Sequence, residues 1–133
     1  MASILKSIEI DAAADAVWDA VADFGAVHRR FAPGFVTNVE LIPGARMVTF
    51  GNGMTVKELF LDRDDAHRRL AYSVRSDTFQ HHSASFTVTD LGQGRSRLDW
   101  RADILPDAAA PTLAGMMEQG LAAAQGVLGR VPA

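Results

Sequence analysis

Glu58, Tyr72, Phe86 and Trp100 follow one another at equal intervals of 14 residues. Each marks the middle of a strand-like segment, at roughly 54–62, 68–76, 82–90 and 96–104. Turn signals separate the segments: Asp64-Asp65, Asp77, and Gly92-Gln93-Gly94. Paired as an antiparallel meander, the four residues form one row across a sheet. Side chains alternate faces along a strand, so the neighbouring rows on that face are Phe60, Leu70, Val88, Leu98 and Val56, Val74, Ala84, Ala102. A further row is Met54, Ser76, His82 and Ile104. The opposite face carries Lys57, Ser73, Ser85, Arg101 and Thr55, Arg75, Ser83, Asp103. One face is dry and the other polar. A one-residue slip would invert a whole strand, so the phase is specified strongly; the register is specified only to within about two residues. An antiparallel sheet with one apolar face needs a cover on that side.

The rest of the chain supplies the remaining elements. Residues 4–10 alternate as a first strand. A helix is expected over 12–24, with Val17, Trp18, Val21 and Phe24 on one side. Gly25 interrupts it, and a short second helix over roughly 25–32 stops at Pro33-Gly34. Strands follow at 35–42 and 46–51, with Pro43-Gly44 between them. Asn52-Gly53 is a strong hairpin signal, because both residues tolerate positive φ. Pro106 ends the last meander strand. From about 109 to 129 runs a helix whose stripe is Leu113, Met116, Met117, Leu121, Ala124 and Leu128, with Glu118 its only charge. At about 1.5 Å per residue it can cross a seven-stranded sheet, and the economical arrangement lays it on the dry face. The fold class is therefore α+β, in the order β-α-α-β6-α, with residues 1–133 expected as one domain.

Composition narrows the function. The chain is 48% apolar and 22% charged, within the range of ordinary soluble domains, and its net charge is −3. Basic residues cluster no more densely than the doublets Arg29-Arg30 and Arg68-Arg69, which argues against nucleic acid. There is no cysteine, hence no disulfide framework, thiolate catalyst or thiolate metal site. The N-terminal run with Lys6, Glu9 and Asp11 is not a secretory signal, and no stretch is apolar enough to span a bilayer. The expected setting is cytoplasmic. No hydrolase elbow, P-loop or metalloprotease motif is present, and Gly51-Asn52-Gly53 reads as a turn rather than a phosphate cradle.

Taken in order, Ile8-Glu9-Ile10, Val17-Trp18, Asp23-Phe24, Pro33-Gly34, Glu58-Leu59 with Asp62, Arg69-Leu70-Ala71-Tyr72 and Trp100 resemble the START-like, or SRPBCC, superfamily, and within it the bacterial polyketide cyclase/dehydrase-like branch. The resemblance spans nearly the whole chain. It implies a helix-grip fold, a curved sheet wrapped around a long C-terminal helix, with a cavity between them for a hydrophobic small molecule. Many such proteins carry a tryptophan just before the Pro-Gly. This chain has His28-Arg29-Arg30-Phe31-Ala32 there, so the mouth of the cavity is expected to differ in shape or polarity. Members include carriers, receptors and enzymes, so the family bounds architecture more tightly than activity.

The expected ligand-binding wall takes Phe50, Glu58, Phe60, Tyr72, Val74, His82, Phe86 and Trp100 from the sheet. Phe24, His28 and Phe31 join it from the first two helices, and Leu113, Met116, Met117 and Gly120 from the last. Glu58 has two readings. As a pocket carboxyl it would bind a ligand hydroxyl or amine, or move protons. As a sheet-edge residue it would reach solvent or pair with an arginine. In the equal-spacing register Tyr72 stands opposite it as a possible partner. His82 points inward near a strand end and could transfer protons at the cavity mouth, or be a partly exposed histidine with no role. His81 faces outward, so the pair is poor metal-ligand geometry; no metal and no cofactor are expected. A binding or carrier domain for a lipid, polyketide or aromatic compound is favoured. The alternatives are a cyclase/dehydratase using Glu58 with Tyr72 or His82, and an interaction domain. Monomer and homodimer stay equally open, and stable membrane insertion is not expected.

Overall fold

A computed structural model describes residues 1–130. The order is β1 Ala2–Ile10, α1 Ala14–Ala22, a wide turn Val27–Phe31, β2 Val36–Ile42, β3 Ala45–Phe50, β4 Thr55–Asp64, β5 Arg69–Arg75, β6 His81–Gly92 and β7 Arg95–Leu105. A short 3₁₀ turn, Asp107–Ala109, leads into α2, Ala110–Leu128. The expected second helix is this wide turn, closed by the Ala32 amide donating to the Val27 carbonyl at 2.8 Å. The seven strands form one antiparallel sheet in the order β1-β7-β6-β5-β4-β3-β2. The architecture is α+β and helix-grip, as the chain's pattern implies.

The phase of β5, β6 and β7 follows the alternation throughout, and that of β4 does so at Val56 and Glu58, short of its bulge. Leu70, Tyr72, Val74, Ala84, Phe86, Val88, Leu98, Trp100, Ala102 and Ile104 are all buried on one face. The register does not follow the equal spacing throughout. β6 and β7 pair as expected, Phe86 opposite Trp100. Leu70, not Tyr72, stands opposite Phe86, and Val74, not Tyr72, stands opposite Glu58. Each of these two pairings is offset by two residues. The β6–β7 connection is a tight turn with Gly92, Gln93 and Gly94 all at positive φ, whereas a bulge between Phe60 and Asp62 absorbs a residue of β4. A slip of two keeps every side chain on its face, so the hydrophobic pattern cannot detect it. Between β3 and β4 the Gly53 amide donates to the Phe50 carbonyl at 2.9 Å, and Gly53 has φ of 88°.

α2 lies along the β1 side of the sheet. The Gln125 side chain donates to the Glu9 carbonyl at 2.8 Å, Lys6 Nζ pairs with Glu118 at 2.7 Å, and the Asp11 amide donates to the Gly129 carbonyl at 3.0 Å. Met117, Gly120, Leu121 and Ala124 are its buried face. Val17, Trp18 and Val21 of α1 enter the same core. Placing the roof helix towards one edge leaves the dry face of β3–β6 incompletely filled, and the functional geometry follows from that.

Candidate ligand-binding cavity

Between α2 and the sheet lies a cavity of about 100 Å³. Its deep wall is Leu70, Tyr72, Val74, Phe86, Trp100 and Ala102, with Val36 and Val48 from β2 and β3 and Val21, Phe31 and Ala32 from the helical segments. Its rim is only partly buried: Phe35, Phe50, Val56, Phe79, Leu113 and Met116, with the exposed Met54. For scale, a dry apolar cavity of about 150 Å³ holds benzene in another protein. The space therefore suits a ring or a short chain, and a larger guest requires rim side chains such as Met116 to turn aside.

The aromatic wall is a connected stack. Phe86 lies 4.8 Å from Trp100 and 6.0 Å from Tyr72, both near-parallel, and Phe31 meets Phe86 edge-on at 5.0 Å. Trp100 Nε1 donates to the Tyr72 hydroxyl at 3.1 Å. Such contacts add about 0.5–1.5 kcal/mol each beyond area burial. The wall is thus rigid where it is deepest.

Twelve of the fifteen residues expected on this wall lie along it: Phe31, Phe50, Glu58, Tyr72, Val74, His82, Phe86, Trp100, Leu113, Met116, Met117 and Gly120. Phe24, His28 and Phe60 do not. Phe60 is 42% exposed, although in phase with the dry face. It sits at the β4 bulge, beyond the last β3 pairing, and packs edge-on against Phe24 at 5.6 Å. Phe24 itself is stacked against the Arg46 guanidinium. His28 is part-buried on the wide turn, away from the cavity.

Arg46 is the residue the sequence reading passed over. It is 3% exposed, and Glu58 beside it is 6% exposed. Its Nε and Nη2 reach Glu58 Oε1 at 2.8 and 2.7 Å, and Nη1 donates to the Phe24 carbonyl at 3.0 Å. The guanidinium stacks 4.0 Å from the Phe24 ring centroid and 5.4 Å from that of Tyr72. Glu58 is therefore ion-paired with an arginine, as one of its two readings has it, but buried rather than at a solvent-facing sheet edge, and Tyr72 is not its partner. The register explains it: Arg46 and Glu58 are directly paired across β3 and β4. The available signal was alternation within β3, which puts Arg46, Val48 and Phe50 on one face.

The polar groups on the wall are few: the Arg46–Glu58 pair, the Tyr72 hydroxyl, the Trp100 indole N–H and His82. Burial, assisted by the Glu58 charge and opposed by Arg46, pushes the Tyr72 phenol far above its usual 10, so it stays protonated. Its hydroxyl accepts from Trp100, and among the described residues nothing accepts its proton. His82 lies at the other end, edge-on to Phe79 at 5.5 Å. Burial, then the neighbouring His81, lowers it from 6.5 to about 4, so the ring is neutral near pH 7. Its Nδ1 is buried and has no partner among the described residues. No group of three or more His, Asp or Glu residues is arranged to hold a metal ion among the described residues. No helix of the described residues is long and apolar enough to cross a membrane.

Residues 1–129 match a family described as polyketide cyclase / dehydrase and lipid transport. No curated protein matches the chain. Solved structures do. A protein named XoxI from Bacillus cereus superposes with a TM-score of 0.87 at 20% identity, covering 96% of each chain. A START superfamily protein from Mycobacterium smegmatis gives 0.77 at 18% identity, covering 95% of this chain and 96% of its own. The Zhui aromatase/cyclase from Streptomyces sp. R1128 gives 0.73 at 21% identity, covering 96% and 90%. At these identities the likeness is one of fold.

Proposed function

The chain belongs to the polyketide cyclase / dehydrase and lipid transport family, and on that premise we propose that its cavity binds a hydrophobic small molecule: a lipid, a polyketide or an aromatic compound. The observation that carries this reading is the rigid aromatic and aliphatic wall around unfilled space, with polar groups confined to two places. Removing apolar ligand surface from water drives the binding, at about 25 cal/mol per Å², and the few polar groups orient the guest. The setting is proposed to be cytoplasmic, with the ligand as the principal partner.

Native mass spectrometry of freshly purified protein, followed by titration with toluene while watching tryptophan emission, tests the reading. Trp100 lines the cavity and Trp18 does not, so a Trp18→Phe background isolates the signal. A co-purified apolar molecule, or saturable quenching by toluene that Gly120→Leu abolishes, is the expected result. Absence of both would reject the cavity as a binding site.

A second reading is a cyclase-type enzyme in which Glu58, with Tyr72 or His82, moves protons on an oriented substrate. The neutral His82 with its unpartnered Nδ1 favours it. The engagement of Glu58 by Arg46 and the retained Tyr72 proton weigh on the side of binding. Turnover of a β-keto substrate that is lost in His82→Gln but unaffected in its affinity would move the assignment to the enzyme.

A further inference from the structure

Strands β5 and β6 separate at one end of the cavity. Their pairing runs from Arg69 opposite Thr87 to Ser73 opposite Ser83 and stops there. Beyond that point Val74 and Arg75 pair with β4, opposite Glu58 and Lys57, while His81 and His82 pair with β7, opposite Leu105 and Ile104. His82 stands at this fork, in phase with the buried Ala84 and Phe86, and lines the cavity. Its surroundings are apolar. Ile104 opposite it is fully buried, and Val74 and Phe79 line the cavity with it, Phe79 edge-on at 5.5 Å. His81 belongs to the other face, where its Nε2 meets the Ser83 hydroxyl at 3.0 Å. That leaves His82 Nδ1 buried and without a partner among the described residues. A buried ring nitrogen left unpaired is costly, so a partner from outside the fold is favoured there. The other polar side chains of the wall engage one another: Arg46 holds Glu58, and the Trp100 indole donates to Tyr72.

We propose that His82 is the residue that recognises the polar end of the ligand, an apolar body carrying one uncharged oxygen group, hydroxyl or carbonyl, that hydrogen-bonds to the imidazole at the fork. This rests on the cavity being a ligand site and adds the chemical class of the ligand and the direction in which it lies. A neutral imidazole offers one donor and one acceptor, so a hydroxyl suits either tautomer and a carbonyl suits the ring N–H. The body of the ligand then lies against the stack of Tyr72, Phe86 and Trp100. An anionic head would call for the imidazolium, which the apolar surroundings disfavour, and burial already holds the ring neutral near pH 7. The other ionisable side chains lining the cavity are Arg46, Glu58 and Tyr72. Arg46 and Glu58 are spent on each other, so neither a carboxylate nor an ammonium finds a free counter-charge. A hydrocarbon fits the wall and leaves His82 unpaired. The volume of about 100 Å³ matches one ring with its substituent at the fork.

Four one-ring probes at pH 7 test this: toluene, p-cresol, acetophenone and benzoate, each titrated by tryptophan emission and calorimetry. The better of p-cresol and acetophenone is expected to bind about tenfold tighter than toluene, the size of one hydrogen bond, and which of the two it is tells hydroxyl from carbonyl. Benzoate is expected at least about tenfold weaker than that probe. His82→Leu is expected to bring the oxygen probe to within about threefold of toluene, whereas His81→Gln, on the outer face, keeps the preference. Protein labelled with ¹⁵N-histidine carries four imidazoles, at positions 28, 67, 81 and 82. The His82 ring nitrogens are expected to shift on saturation with the oxygen probe and to stay in place with toluene, a response that a purely structural histidine would not give. If His82→Leu does not fold, the wild-type order and the nitrogen shifts decide. Benzoate within about threefold of the better oxygen probe overturns the inference, and so does a preference that survives in His82→Leu or ring nitrogens that do not respond. Toluene binding with no preference for either oxygen probe overturns it too, while leaving the apolar cavity standing as a ligand site. Failure of all four probes to bind overturns both.

Discussion

Replacing Arg46 by methionine isolates the one ion pair that is buried among the described residues. Methionine keeps most of the stem volume and is flexible enough to refill the space between Phe24 and Tyr72. What it removes is the charge facing Glu58, the bond to the Phe24 carbonyl and the stacking 4.0 Å from Phe24. Breaking one side of a buried ion pair costs about 3–5 kcal/mol, because the remaining charge keeps its desolvation penalty and loses its compensation. The bond and stacking contributions lie within that figure, since neighbouring contributions do not add. Against a typical domain stability of about 5–15 kcal/mol the loss is large. With a urea dependence of about 1–3 kcal/mol per molar, the unfolding midpoint is expected to fall by about 2 M, read by far-UV circular dichroism. Arg95→Met is the control. Arg95 reaches Asp11 at 3.9 Å with both side chains over 40% exposed, and it is expected to cost less than about 1 kcal/mol. The double variant Arg46→Met/Glu58→Leu, which removes both charges, is expected to recover most of the loss. A single variant no worse than the Arg95 control, or a double variant no better than the single, would refute the reasoning.

Two further expectations concern groups at the cavity. Below about pH 6.5 the unfolded chain takes up a proton on His82 that the folded protein refuses until about pH 4, so stability falls as pH falls through that window. The loss is at most about 3 kcal/mol, and nearer about 2 because the ring is partly solvated. His82→Gln should flatten the urea midpoint between pH 7 and pH 4.5 relative to wild type; parallel pH profiles would show that the ring is not what titrates. Gly120→Ala places a Cβ 2.9 Å from Trp100 Cζ3 and 3.0 Å from Phe35 Cε2. The helix-propensity gain of about 1 kcal/mol is outweighed by overpacking of about 1–3 kcal/mol, since Trp100 is held by its stack and its bond to Tyr72. A net loss of about 1 kcal/mol is expected in thermal unfolding. Gly115→Ala, with nothing within 4 Å, should instead gain about 0.5–1 kcal/mol; equal effects at the two positions would remove the case for close packing at Gly120.

The order of elements and the inward face of each strand were determined by the sequence itself. Alternation has period two, so Tyr72, Phe86 and Trp100 must share a face wherever their strands happen to pair. The last helix was legible for a similar reason: Leu113, Met117, Leu121 and Ala124 recur at the helical period, and so little charge lies between them that the segment has to be covered. Only tertiary structure decided which residues meet. The turn after β5, and the turn after β4 together with the β4 bulge, each set one pairing two residues away from the equal spacing, a change the hydrophobic pattern is blind to. That shift, with the pairing of β3, gave Glu58 an arginine in place of Tyr72. Phe60, at the bulge, packs against Phe24 outside the cavity despite a favourable phase. The space for a ligand was likewise unreadable from the chain, because it arises where α2 rests along β1 and leaves the neighbouring strands unfilled, and a void is a property of distances between elements that no periodicity encodes.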